Sequence, residues 1–210
     1  ARGRAPLPVT MSRTLVWFRE HELRLSDHEP LRAAAAAGEV VPLFVLEPSS
    51  LAPARARARA HRVQFLLESL ASLADELAVR GTRLLVVEGP AERVVPRLLH
   101  DWRVDRAVAH RVTDPAGRER DRRLLAALGG RLALFEGETL VPPGTLRNGA
   151  GAPYSVFTAF ARAWRAAVEP GRPRPAPPAL PPLPAGLGAG TRELPTLAEL
   201  GITRNPALQP

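Results

Sequence analysis

The densest set of chemically able side chains lies between Thr14 and Leu31, TLVWFREHELRLSDHEPL. An apolar run, Leu15-Val16-Trp17-Phe18, gives way abruptly to Arg19, Glu20, His21, Glu22, Arg24, Asp27 and His28. Guanidinium groups in such a place can pair with carboxylates or phosphates. The same groups can also serve the protein alone, since a partly buried pair such as Arg24 with Asp27 orders a loop. His21 and His28 share the turn, but the spacing defines no third ligand, so no metal site is expected.

The elements that must hold these groups follow from the flanking pattern. A short, unbroken apolar run reads as a strand buried on both faces. Ser26 with Glu29 three positions later is a capping-box pattern, and the helix it opens continues from Leu31 to Ala37 until Gly38 stops it. Strand, charged turn and helix make the opening half of a βαβ unit. Ligands of open parallel sheets sit beyond the carboxyl ends of the strands, the place held here by Arg19 to Asp27.

The alternation continues. Val40 to Leu46, Arg83 to Val87, Arg106 to Ala109 and Arg131 to Phe135 read as further strands. A helix from about Arg62 to Arg80 carries one apolar stripe through Val63, Leu66, Leu67, Leu70, Leu73 and Leu77. Two more run from Ala91 to Asp101, with bounds blurred by Pro96, and from Pro115 or Ala116 to Leu128. Strands and helices in this order predict a doubly wound, Rossmann-like α/β fold. Tyr154 to Val168 reads as a further helix with Phe157, Phe160, Trp164 and Val168 along one face. Pro170 to Pro184 reads as a stiff polyproline-like segment without packing of its own, and Thr191 to Gly201 as a short helix. The expected organisation is a disordered extension over 1–12, the α/β domain over 13–168, and a proline-rich linker with a short helix over 169–210.

Composition excludes several classes. No apolar run reaches membrane-spanning length and the basic start lacks a signal-peptide core, so a cytoplasmic chain without membrane contact is expected. The chain has no cysteine, hence no disulfide and no thiolate nucleophile. Without lysine it cannot form a Walker A loop, and no G-x-G-x-x-G follows the first strand. Gly89-Pro90 opens a helix that could accept a phosphate, or simply turns the chain tightly. The net charge of +8 rests on 29 basic residues, all arginine. Arg55, Arg57 and Arg59 have no interleaved aromatic to stack bases, so that run reads as a solvated loop, with DNA bound only weakly if at all.

Several stretches taken together resemble the DNA photolyase and cryptochrome family. WFR, LRL and S-D-H-x-P-L are similar to its first strand and turn, usually WFRRDLRLxDNPAL; Glu20-His21-Glu22 stands where the family has Arg-Asp. GETLVPPGTLRNGAGAPYSVFTAFARAW resembles TLxPPGxLxxxxGxPYxVFTPFxRAW, and LPTLAELGI resembles the connection into a second domain. The matches run in order from Thr14 to Ile202.

The resemblance implies a parallel sheet of order 3-2-1-4-5 in an N-terminal domain that often holds a light-harvesting antenna pigment. It implies that the FAD-binding helical domain, which splits pyrimidine dimers, is an additional domain or partner chain, so no catalytic residue and no repair by this chain alone are expected. Residues matching the family's crevice are Phe18, Arg19, Arg24, Leu46, Glu47, His110 and Arg111, facing a deazaflavin, FMN or methenyltetrahydrofolate. The bland readings are a satisfied polar role for His110 and core roles for Trp17 and Trp164. The longer turn can also remove a pigment contact. A nucleotide-type small-ligand or docking domain on the same fold, without light chemistry, is the competing reading.

Overall fold

The computed structural model describes residues 12–48, 51–169 and 171–208. Five parallel strands, β1 (Ser12–Phe18), β2 (Gly38–Leu46), β3 (Leu85–Glu88), β4 (Arg106–His110) and β5 (Leu132–Phe135), form one sheet of order β3-β2-β1-β4-β5. The helices are α1 (Glu29–Ala37), α2 (Pro53–Ala58), α3 (Ala60–Val79), α4 (Ala91–Asp101), α5 (Pro115–Leu128) and α6 (Phe157–Ala167). The doubly wound expectation and its strand order hold. Among the described residues, no helix is long and apolar enough to cross a membrane.

Side chains alternate across a strand, so an unbroken apolar run feeds two cores at once. Leu15, Trp17, Val41, Leu43, Val45, Ala107 and Ala109 pack with Val94, Val95, Leu98 and Leu99 of α4 and Leu124 of α5. Val16, Phe18, Val40, Phe44, Leu46 and Val108 pack on the other face with Leu31 of α1 and Leu66, Leu70, Leu73 and Leu77 of α3. Because the strands are parallel, Phe18, Leu46, Glu88 and His110 all end at one edge. β1 lies between β2 and β4, so the chain reverses its winding there. That is the switch point at which such folds leave a crevice.

Five local expectations are corrected. Ser26 does not cap α1. Its N-cap is His28, whose Nδ1 accepts the Leu31 N–H at 3.1 Å. Asp27, at φ 49°, turns the chain out of line after Ser26, and Pro30 in the first turn suits a later start. The Ala-Arg run is helical, not a loop, because alanine and arginine are among the best helix formers. Ala56 of that helix is fully buried beside Val63, Leu67, Leu200 and Ile202.

The proline-rich stretch packs on the domain. Leu180 is only 6 % exposed and sits in the α1/α3 core, while its N–H donates to the Arg80 carbonyl at 2.9 Å. Asp27 N–H donates to the Arg174 carbonyl at 3.0 Å. Leucines interleaved among the prolines supply the apolar anchors. Thr191 to Gly201 forms a capped turn instead of a helix: Glu199 accepts from Thr196 N–H at 2.7 Å, and Gly201 leaves at φ 66°. Ser12 belongs to β1, so it is no part of a disordered extension; residues 1–11 lie outside the described residues.

Leu180→Ala is expected to cost about 2–3 kcal/mol in urea unfolding, as for a buried leucine. Phe157→Ala, on a residue 78 % exposed, should change stability by no more than ~0.5 kcal/mol.

Candidate functional site

The charged residues after β1 are held by a buried ion pair. Arg19 donates through both terminal nitrogens to the two oxygens of Asp121 on α5, each at 2.9 Å, and both side chains are 4 % exposed. The paired bonds match a planar guanidinium to a carboxylate, which fixes orientation as well as charge. Desolvation pulls the Arg19 pKa below its ordinary value, and the hydrogen bonds and charge of Asp121 oppose that. The guanidinium lies 4.1 Å from the centre of the Trp17 ring, and that of Arg120 lies 5.1 Å from it. Trp17 is a core residue, as expected, and also the surface on which two cations rest.

Above this pair lies a cavity of about 440 Å³ lined by Trp17, Phe18, Arg19, His21, Phe44, Val45, Glu47, Arg62, Val112 and Arg120, among others. It opens at the carboxyl edge of β1 and β2, with residues after β4 and from α5 closing one side. Its walls are apolar at Phe44, Val45 and Val112, cationic at Arg62 and Arg120, and acidic at Glu20, Glu47 and Asp114. Nε of Arg19 and Nε of Arg120 are both buried and have no hydrogen-bond partner.

The structure gathers part of the expected set. Phe18, Arg19 and Glu47 line the one cavity. Phe18 is fully buried, with its ring 4.6 Å from that of His28. Leu46 belongs to the α1/α3 core. Glu47 accepts the Ala91 N–H at 3.1 Å, so the start of α4, where Gly89-Pro90 suggested a phosphate, already holds a carboxylate of the protein. Arg24 borders a neighbouring hollow with His21 and Glu22, and reaches the Ser26 and Asp27 carbonyls at 3.2 and 3.4 Å instead of the Asp27 carboxylate. Arg111 stands apart, half-exposed and paired with Glu136 at 2.8 Å.

His110 lies beneath the turn, against Glu22 and with its ring 4.6 Å from that of His28. Gly137 makes this packing possible, since a Cβ there would come within 2.6 Å of His110 Nε2. Sequence reasoning missed Asp121, because it lies 102 residues from Arg19 within an arginine-rich helix. Its one available signal was a lone aspartate on the side of α5 that also carries Leu124 and Leu128.

Asp121→Ala should therefore destabilise the protein by about 3–5 kcal/mol in denaturant unfolding, because it leaves a buried cation unpaired. The double variant Arg19→Met/Asp121→Leu should recover most of that loss, since the uncompensated charge goes with its partner.

Comparison with known proteins accords with this geometry. The family model described as DNA photolyase matches residues 14–182. A deoxyribodipyrimidine photo-lyase of Agrobacterium fabrum is 35 % identical over 170 residues, 79 % of this chain and 34 % of its own length. A cryptochrome DASH of Gloeobacter violaceus is 35 % identical over 195 residues, 90 % of this chain and 38 % of its own. Among solved structures, a class III photolyase from Agrobacterium tumefaciens superposes with a TM-score of 0.75 at 30 % identity, covering 98 % of this chain and 41 % of that one. The chain thus spans between a third and about two fifths of the length of these relatives. The strand order, the structural likeness and a family match across most of the described sheet lead to one assignment: the chain belongs to the DNA photolyase and cryptochrome family and corresponds to its N-terminal α/β domain.

Proposed function

We propose that the crevice is an antenna-type chromophore site, taking a flat, anionic, light-absorbing cofactor beside Trp17. The observation that carries this reading is that two side chains lining one cavity, Arg19 and Arg120, each keep a buried Nε without a hydrogen bond, that of Arg120 lying 3.8 Å from Asp121 Oδ1. Buried donors are nearly always paired, and a ligand carboxylate, phosphate or carbonyl oxygen supplies the acceptor. The volume of about 440 Å³ suits a cofactor-sized molecule, and Phe44, Val45 and Val112 suit the faces of a ring. Deazaflavin, FMN and methenyltetrahydrofolate all combine such a ring with acidic or carbonyl groups.

The bound pigment would supply light absorption. The chain's own residues do the rest: Asp121 locks Arg19 so that its Nε keeps one direction, and Trp17 supports both guanidinium groups from below. Arg62, paired with Glu20 at 2.9 Å and largely exposed, can turn toward an anionic tail at the mouth. Phe18 acts through the packing that holds His28 and not as a stacking surface.

The second part of the reading concerns α6. Val156, Phe157 and Phe160 stand exposed at the start of this helix, which buries no residue of its own. Exposed apolar side chains grouped on one short segment mark a contact. The remaining length of the relatives supplies the occupant, an FAD-binding helical domain against which this face docks. Pyrimidine-dimer repair belongs to that larger assembly.

The near-ultraviolet and visible spectrum of the purified chain, alone and after adding each of the three pigments, tests the chromophore reading. One pigment is expected to co-elute at one per chain, and Arg120→Ala should weaken it at least tenfold, the worth of a hydrogen bond to a charged group. A flat spectrum with all three overturns the reading. Calorimetric binding of an adenine nucleotide in that case would favour the small-ligand alternative on the same fold.

A further inference from the structure

Beneath the turn, three buried side chains from three parts of the fold converge. Glu22 comes from the segment after β1, His28 from the N-cap of α1 and His110 from the end of β4, with exposures of 6 %, 0 % and 2 %. Each offers one ligating atom, and these atoms all lie within 4.8 Å of one another. His28 Nε2 and Glu22 Oε1 are shut off from solvent without a hydrogen-bond partner. His110 Nδ1 abuts the second oxygen of Glu22. Two orphaned polar atoms beside a buried imidazole–carboxylate contact are costly in a core where such atoms are nearly always satisfied. One cation engages all three side chains.

We propose that Glu22, His28 and His110 form a binding site for a divalent transition metal of the zinc class, stapling the turn to α1 and β4. Two imidazole nitrogens and a carboxylate are a donor set that such ions take. Among the described residues no fourth side chain joins the cluster, so a water or the second Glu22 oxygen completes a tetrahedron.

One existing bond opposes the metal. His28 Nδ1 accepts the Leu31 N–H at 3.1 Å, whereas a neutral imidazole ligating through Nε2 carries its proton on Nδ1. Metal binding therefore releases the cap. A helix cap is worth roughly fivefold in an equilibrium constant. Ligation by three side chains has to exceed only that small cost for the site to fill.

The test titrates the full chain, stripped with a chelator, with Co²⁺ and then Zn²⁺. One Co²⁺ per chain is expected, with the visible bands of a four-coordinate ion, displaced by Zn²⁺, which should raise the thermal midpoint. His110→Gln should abolish the bands and Glu22→Gln should weaken binding at least tenfold, while His61→Ala and His100→Ala leave it unchanged. Circular dichroism checks the fold of each variant; if His110→Gln does not fold, the wild-type and Glu22→Gln titrations decide. No Co²⁺ band and no midpoint shift with either ion overturn the proposal. So does binding that survives Glu22→Gln at full strength or is lost with the exposed His61 or His100.

Discussion

The structure around the crevice depends on a single buried contact, the two parallel hydrogen bonds between Arg19 and Asp121. A guanidinium placed at the end of a central strand cannot face the core unpaired; the desolvation would exceed what the sheet's packing gains nearby. Asp121 resolves this from the opposite side of the switch point, and so ties α5 to the first turn. The pair leaves Arg19 Nε buried without a hydrogen bond, with the guanidinium over the Trp17 ring. The orientation of Arg19 at the cavity wall thus rests on the same four heavy atoms that satisfy its charge.

The other charged groups of the edge are sorted by what lies next to them. Glu47 is drawn to the start of α4, where a free amide and the helix dipole both favour a carboxylate. Glu20 turns outward to Arg62, in contact with water. Glu22, between them in sequence, goes inward to His110 and His28. The added residue in this turn, relative to the family's usual pattern, therefore lengthens a segment anchored at both ends, by Arg19 on one side and Glu22 on the other.

Much of the fold was legible in the residues. Apolar runs such as Leu15 to Phe18 and Val40 to Leu46 declare strands buried on both faces, because only a doubly covered sheet needs both sides of a strand apolar. The stripe of α3 is as clear, and it marks the helix within about two residues at each end. What was illegible depended on distance. Asp121 finds Arg19, and His110 finds Glu22, only once β4 lies beside β1. Alanine-arginine repetition was misread because charge suggested solvent while propensity dictated helix, and propensity prevailed. The proline-rich stretch misled for a similar reason: proline governs backbone shape, but Leu180 governs where the segment packs. Of the cavity-lining residues, Arg19 lay where the topological rule puts a ligand and Phe18 and Glu47 came from the family resemblance; Trp17, Val112 and Arg120 required the assembled sheet.

The most direct test of a ligand crevice at the switch point is the position of a bound pigment, read from amide and indole chemical-shift changes on titration with FMN. The account predicts that the largest changes fall at the Trp17 indole, Phe44, Val45, Val112 and the amides around Arg19 and Arg120, with α6 unaffected. Changes confined to α6, or spread along the arginines of α2 and α3 with Trp17 silent, would contradict it.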